Sequence, residues 1–160
     1  MSIPYINVGG DGPLFHFSHA NGYPPLTYRA LLDPFRVDHE VIASLHRPIW
    51  DTPPEPSGMK SWVPLGEDLL LMLKRLGQSN ISVGHSMGAA AIVMAAVKHP
   101  ELFRTIVLIE PVIMSRKYFY FLKLFRGLAK RKIPLIRKTL DRTESWATRE
   151  EAYEHFRPKL

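Results

Sequence analysis

Ile81-Ser82-Val83-Gly84-His85-Ser86-Met87-Gly88-Ala89-Ala90-Ala91 is the stretch that decides the fold. The β-branched run Ile81 to Val83 reads as a buried strand. Gly84-His85-Ser86-Met87-Gly88 fits G-x-S-x-G, and a small-residue helix follows from Gly88 to about Lys98. A strand, a sharp turn and a helix are the context this motif requires. The turn places Ser86 in a strained backbone position with its hydroxyl exposed above the sheet. Gly84 and Gly88 carry no Cβ, so strand and helix can close around the serine. The start of the helix adds unpaired N–H groups and a positive dipole end, which favour an oxyanion. A turn of this shape around an idle serine is the bland alternative; the flanking strand, the Ala-rich helix and a second strand beyond argue against it.

Working outward, Leu14-Phe15-His16-Phe17-Ser18 reads as a central strand, followed by the loop His19-Ala20-Asn21-Gly22-Tyr23-Pro24-Pro25. On these two motifs the chain resembles the α/β-hydrolases of the cap-bearing esterase, haloperoxidase and C–C hydrolase type. The likeness runs from about Leu14 to Val112 and continues loosely into a cap. It implies a nucleophile at Ser86. It implies an oxyanion hole from the backbone N–H groups of Asn21 and Met87, with Gly84, His85, Gly88, His19, Ala20 and Gly22 shaping the elbow and loop. Ala20 stands where the family usually has glycine. Glu110, after the next strand, sits where some members place the triad acid; capping a loop or anchoring the cap is its alternative. Dehalogenases and epoxide hydrolases of this fold use Asp at the nucleophile position, so Ser86 argues against both.

The remaining pattern is of alternating strands and helices. Ile3 to Val8 reads as a short lead-in strand and Thr27 to Phe35 as a helix with Thr27 as its cap. Val37 to Leu45 holds a strand, and the proline-rich stretch His46 to Gly58 is a loop bracketed by Trp50 and Trp62. Leu65 to Leu76 is an amphipathic helix with Leu65, Leu69, Leu70, Leu73 and Leu76 on one face, ended by Gly77. Phe103 to Ile109 reads as a fully buried strand. The expectation is an α/β fold with a doubly wound, mostly parallel sheet. Residues 1–112 would be the N-terminal part of the hydrolase core, and 113–160 a partial helical cap.

From Ile113 onward the pattern changes. Met114 to Lys132 reads as a basic helix rich in aromatics, and Ile133 to Asp141 as a second helical piece. Thr148 and Glu151 form a capping box for a third. Tyr118, Phe119, Phe121, Leu122, Leu124 and Phe125 are the expected underside of the cap. Nine of the 21 Lys and Arg fall between Pro111 and Leu140, where there is no Asp or Glu. The rest of the chain then holds 12 basic against 15 acidic residues, so the net charge of +6 is local and gives no general nucleic-acid surface. The basic face is read first as solvated, with a substrate carboxylate or an anionic membrane as alternatives.

With 160 residues the chain can bury one good core. It has no cysteine, so neither disulfides nor a thiol nucleophile. No signal-like start or membrane span is visible, and the expected setting is cytoplasmic. The seven histidines show no metal-ligand spacing and no G-x-G-x-x-G follows a strand, so no metal and no cofactor are expected.

The motif order in this family is Ser, acid, His. His16, His19, His39, His46 and His99 lie in early strand or loop positions, His85 abuts the nucleophile, and His155 is the only late candidate. The expectation is a chain truncated within the cap, lacking the catalytic base and weak or inactive by itself. The substrate would be a small ester-like or hydrophobic carbonyl compound. The alternative from another class is a non-catalytic binding module of the same fold, its basic helix contacting lipid or a partner. The oligomeric state is not set by the sequence.

Overall fold

A computed structural model describes residues 3–77, 80–113 and 145–157, and between the last two also residues 115, 117, 120, 124, 125 and 143. The chain divides into two compact units, Met1–Ile113 and Met114–Leu160.

The described residues of the first unit form five strands: β1 (Tyr5–Gly9), β2 (Leu14–Ser18), β3 (Glu40–Ser44), β4 (Asn80–His85) and β5 (Phe103–Ile109). Their order across the sheet is β1-β3-β2-β4-β5. β1 runs antiparallel to β3, whereas β3, β2, β4 and β5 are mutually parallel. The parallel register aligns Ser18 with Gly84 and His85 with Ile109, so the carboxyl ends of β2, β4 and β5 finish side by side.

Alternation along the central strands sends side chains to two covered faces. Leu14 and Ile42 join Leu65, Leu69, Met72, Leu73, Ala91 and Ile92 in one cluster. These come from α2 (Val63–Leu76) and α3 (Met87–Lys98). Phe15, Phe17, Val41, Ala43 and Val83 meet Leu32 and Tyr28 on the opposite face. Helical segments therefore flank both sides of a mostly parallel sheet, as the doubly wound expectation requires. The helix over Leu65 to Leu76 forms as read, with Met72 added to its buried face, and ends at Gly77 in the left-handed region (φ 66°). Trp50 and Trp62 pack against the first cluster, and Trp50 Nε1 donates to the Leu45 carbonyl at 2.8 Å, so both anchor the proline-rich loop.

Two sequence expectations need correction. Thr27 to Phe35 is not one helix: 3₁₀ turns at Pro25–Tyr28 and Asp33–Val37 flank a single α-turn, α1 (Arg29–Leu32). The Thr27 hydroxyl donates to the Pro24 carbonyl at 2.7 Å instead of accepting from an amide, and Pro34 removes a donor within the run. β5 forms where expected but is not buried. Its pattern is exposed from Arg104 to Val107 and again at Ile109. The physical reason is position: among the described residues β5 pairs only with β4, and beside it an apolar groove of about 280 Å³ stays open between Phe17, Phe35, Val83, Val107 and Ile109.

In the second unit the helix Arg149–Phe156 is capped by Thr148, whose hydroxyl accepts the Glu151 amide at 3.1 Å. The Glu151 carboxylate returns to the Ala147 amide at 3.0 Å, so the capping pattern holds with its second bond one residue earlier. Trp146 lies against His155 and Phe156, with ring centroids 5.4 Å away from it in each case. Most of the basic aromatic helix read over Met114 to Lys132, with Tyr118, Phe119, Phe121 and Leu122, and all of the piece Ile133 to Asp141 lie outside the described residues. Leu124 and Phe125 are described and exposed. No helix among the described residues is long and apolar enough to cross a membrane.

Candidate active site

Ser86 joins β4 to α3 with φ 53° and ψ −112°. Ser86 and Glu110 are the only non-glycine residues at positive φ among those described. Such a conformation costs about 1–3 kcal/mol and persists only where the surroundings over-determine it. Here the Ser86 N–H donates to the Ile109 carbonyl at 2.9 Å, and its carbonyl accepts the Ala90 N–H at 3.2 Å. The residue is thus pinned to β5 on one side and to α3 on the other. Its hydroxyl makes no capping bond to the helix.

The two glycines of the motif are sterically required. A Cβ at Gly84 would lie 2.6 Å from Ala89 Cα, and one at Gly88 would lie 2.2 Å from the Ser18 carbonyl oxygen and 2.6 Å from that of His19. Gly88 therefore seats the first turn of α3 against the start of the loop that carries Ala20 and Asn21. No acceptor for the Asn21 or Met87 N–H occurs among the described residues. Two free donors and one free hydroxyl at the ends of β2 and β4 can serve an addition to a carbonyl.

The loop is held from beneath by buried polar groups. The His46 backbone N–H donates to His19 Nε2 at 3.2 Å. That nitrogen is then an acceptor, so the ring carries its proton on Nδ1, which donates to the Ala20 carbonyl at 2.8 Å. His46 Nε2 meets the Ser18 hydroxyl at 2.9 Å. One layer deeper, His16 lies between the hydroxyls of Ser82 (3.0 Å) and Ser44 (3.2 Å). Burial lowers the pKa of all three rings from 6.5, to about 3 for His16 and for His46. These histidines are neutral scaffolding with fixed partners.

Sequence-predicted residues thus fall at three neighbouring strand ends. His19, Ala20, Asn21 and Gly22 follow β2; Gly84, His85, Ser86, Met87 and Gly88 make the elbow after β4; Glu110 follows β5. The Glu110 side chain is 87% exposed, and its carboxylate is 4.0 Å from His85 Nε2. His85 is turned to Tyr28, whose hydroxyl meets its Nδ1 at 2.8 Å. Among the described residues no histidine is hydrogen-bonded to Ser86. His155 belongs to the second unit.

Sequence reasoning did not single out Tyr28, Ser18 or His46. Tyr28 falls inside an apolar helical pattern and belongs to no motif. Ser18 and His46 follow apolar strand runs, and only the parallel pairing of β2 with β3 brings them together.

A strained serine between a strand and a helix, on a mostly parallel sheet with helical segments on both faces, defines the α/β-hydrolase class of fold. The family model described as the alpha/beta hydrolase fold matches residues 51–142, more than half of the chain, and the protein belongs to this family. A curated relative, a type I acyl-CoA thioesterase (mpaH) of Penicillium brevicompactum, is 32% identical over 96 residues, which are 58% of this chain and 21% of that protein. Among solved structures, an epoxide hydrolase of Bacillus megaterium superposes with a TM-score of 0.65 at 21% identity, over 98% of this chain and 58% of that one. An esterase from a marine microorganism superposes with a TM-score of 0.62 at 15% identity, over 97% of this chain and 71% of that one. At these identities the structural likeness is one of fold. The chain spans about a fifth of the thioesterase's length and somewhat over half of the epoxide hydrolase's.

Proposed function

We propose that the chain carries the nucleophile and oxyanion hole of a serine hydrolase acting on a small ester or thioester. The observation that supports this most is the backbone of Ser86, held at positive φ from both sides with its hydroxyl free of any cap. A binding module gains nothing from holding that strain.

In this reading Ser86 Oγ attacks the carbonyl carbon and loses its proton to a base. The negative charge that develops on the carbonyl oxygen is taken by the Asn21 and Met87 N–H groups. Collapse of the tetrahedral adduct breaks the bond to the alcohol or thiol and leaves an acyl-serine, which water hydrolyses. Glu110 is the candidate acid, exposed and with its carboxylate 4.0 Å from His85 Nε2. The base is a histidine brought to the site, because without one a serine is a poor nucleophile near neutral pH. Residues 113–160 are read as a partial helical cap. The thioesterase relative favours a thioester: a thiol with a pKa of about 8.5 departs with little protonic help. That suits a serine with no histidine hydrogen-bonded to it among the described residues.

Intact-mass analysis after incubation with p-nitrophenyl acetate and with an S-acyl thiol tests the reading. One acetyl group is expected on Ser86 in the wild type, accumulating because water attack is slow, and none in Ser86→Ala. Acylation at any other residue, or equal acylation of the variant, would refute it.

A further inference from the structure

We propose that Tyr28 is a positioning residue whose hydroxyl ties the oxyanion loop to the nucleophile elbow, accepting the Ala20 N–H and donating its own proton to His85 Nδ1. The distances are 3.4 Å and 2.8 Å. The direction of the first bond follows from the groups involved, and the second is the assignment that the tautomer of His85 tests. A backbone N–H can only donate, so the Tyr28 oxygen accepts from Ala20 and keeps one proton to give. His85 Nδ1 receives it as a lone pair. His85 therefore carries its proton on Nε2, the nitrogen that faces the Glu110 carboxylate at 4.0 Å.

The consequence for the site lies in one peptide plane. The Ala20 carbonyl is held by His19 Nδ1 at 2.8 Å and by the Tyr23 N–H at 3.2 Å. The Ala20 N–H is held by Tyr28. Both peptides that flank Ala20 are thus gripped. Because a trans peptide is planar, with its C=O and following N–H opposed, fixing the Ala20 carbonyl aims the Asn21 N–H the other way. Asn21 N–H is the proposed oxyanion donor, and its partner donor, Met87 N–H, lies two residues beyond His85. Tyr28 spans the two halves of the hole.

The position of Tyr28 suits this task. Its ring packs on Phe17 of β2 with centroids 4.6 Å apart, and Phe17 is fully buried. Burial pushes the pKa of the Tyr28 hydroxyl above 10, so it stays a neutral group with a proton to give. The short 3₁₀ turn that carries it starts at the buried Pro25. The hydroxyl is therefore anchored at a fixed height over the ends of β2 and β4.

The role rests on the serine-hydrolase reading only for its catalytic consequence, and the test separates the two. Nitrogen-15 spectra of the full chain at neutral pH are expected to show His85 as the Nε2–H tautomer with Nδ1 unprotonated. In Tyr28→Phe, the Ala20 amide is expected to exchange with solvent about tenfold faster, as the loss of one hydrogen bond implies. Labelling of Ser86 by a fluorophosphonate is expected to slow by a similar factor, while far-UV circular dichroism stays that of the wild type. An Nδ1–H tautomer in the wild type, or Ala20 exchange unchanged in the variant, would overturn the proposal. The tautomer is read on the wild type and needs no variant to fold. A wild type that takes no phosphonate would count against the nucleophile reading alone, with tautomer and exchange still deciding for or against Tyr28.

Discussion

β2 and β5 flank β4 on either side, pair with it in the same parallel sense, and have opposite fates. β2, Leu14-Phe15-His16-Phe17-Ser18, includes a histidine and a serine, and all five of its residues are buried. β5, Phe103-Arg104-Thr105-Ile106-Val107-Leu108-Ile109, is the more apolar, yet Ile106, Val107 and Ile109 are more than a third exposed. Burial is set by what lies on the two faces and two edges of a strand, not by its hydropathy. β2 has a strand on each edge and helical segments on each face, and its polar side chains are satisfied by Ser44, Ser82 and His46. β5 has one strand neighbour among the described residues.

The contrast can be broken most severely at Gly88. A valine there would drive its Cβ into the Ser18 and His19 carbonyls where β2 meets the elbow. Gly88→Val is expected to cost more than about 4 kcal/mol or to abolish folding, because the obstacle is backbone that cannot swing aside. Urea unfolding of the purified variant gives the number, and a loss below about 1 kcal/mol would mean that the elbow is not closed on β2.

A graded version compares single truncations in the two strands. Phe17→Ala should cost about 3–5 kcal/mol, the range for a fully buried phenylalanine. Val107→Ala, at 44% exposed, should cost less than about 1 kcal/mol. Equal losses would mean that β5 is covered in solution.

Acid should also discriminate between the regions, since β5 has no histidine. His16 and His46 have folded-state pKa values near 3 against 6.5 in an unfolded chain. Between those values the unfolded state binds more protons, so stability is complete above pH 6.5 and falls as pH drops toward 3. The slope should approach about 1.4 kcal/mol per pH unit for each ring. His46→Gln should remove one proton from that slope in urea titrations at pH 5 to 6, and an unchanged slope would show that His46 is already protonated when folded.

How far the sequence carries depends on the kind of constraint involved. The elbow was legible because G-x-S-x-G demands two missing Cβ atoms, and both are needed here against Ala89, Ser18 and His19. The loop His19 to Gly22 was legible from its pairing with the elbow. Tyr28 was not, because its partners Ala20 and His85 are joined only by the tertiary fold and leave no spacing to read. The exposure of β5 was not legible either: a continuous apolar run reads the same at the edge of a sheet as at its centre. The broken helix after Pro25 was partly legible, since Pro34 sits inside the run, but the Thr27 hydroxyl turning back to Pro24 depends on a local choice between two hydrogen bonds.

The most direct test of the central claim, that Ser86 is a presented nucleophile with an oxyanion hole already in place, is fluorophosphonate labelling of the folded 160-residue chain with its Ser86→Ala variant alongside. Alkaline solution supplies the proton acceptor that no histidine among the described residues provides. Slow, stoichiometric modification confined to Ser86 and absent from the variant is expected. A folded chain that takes no label, or one whose label persists in Ser86→Ala, would contradict it.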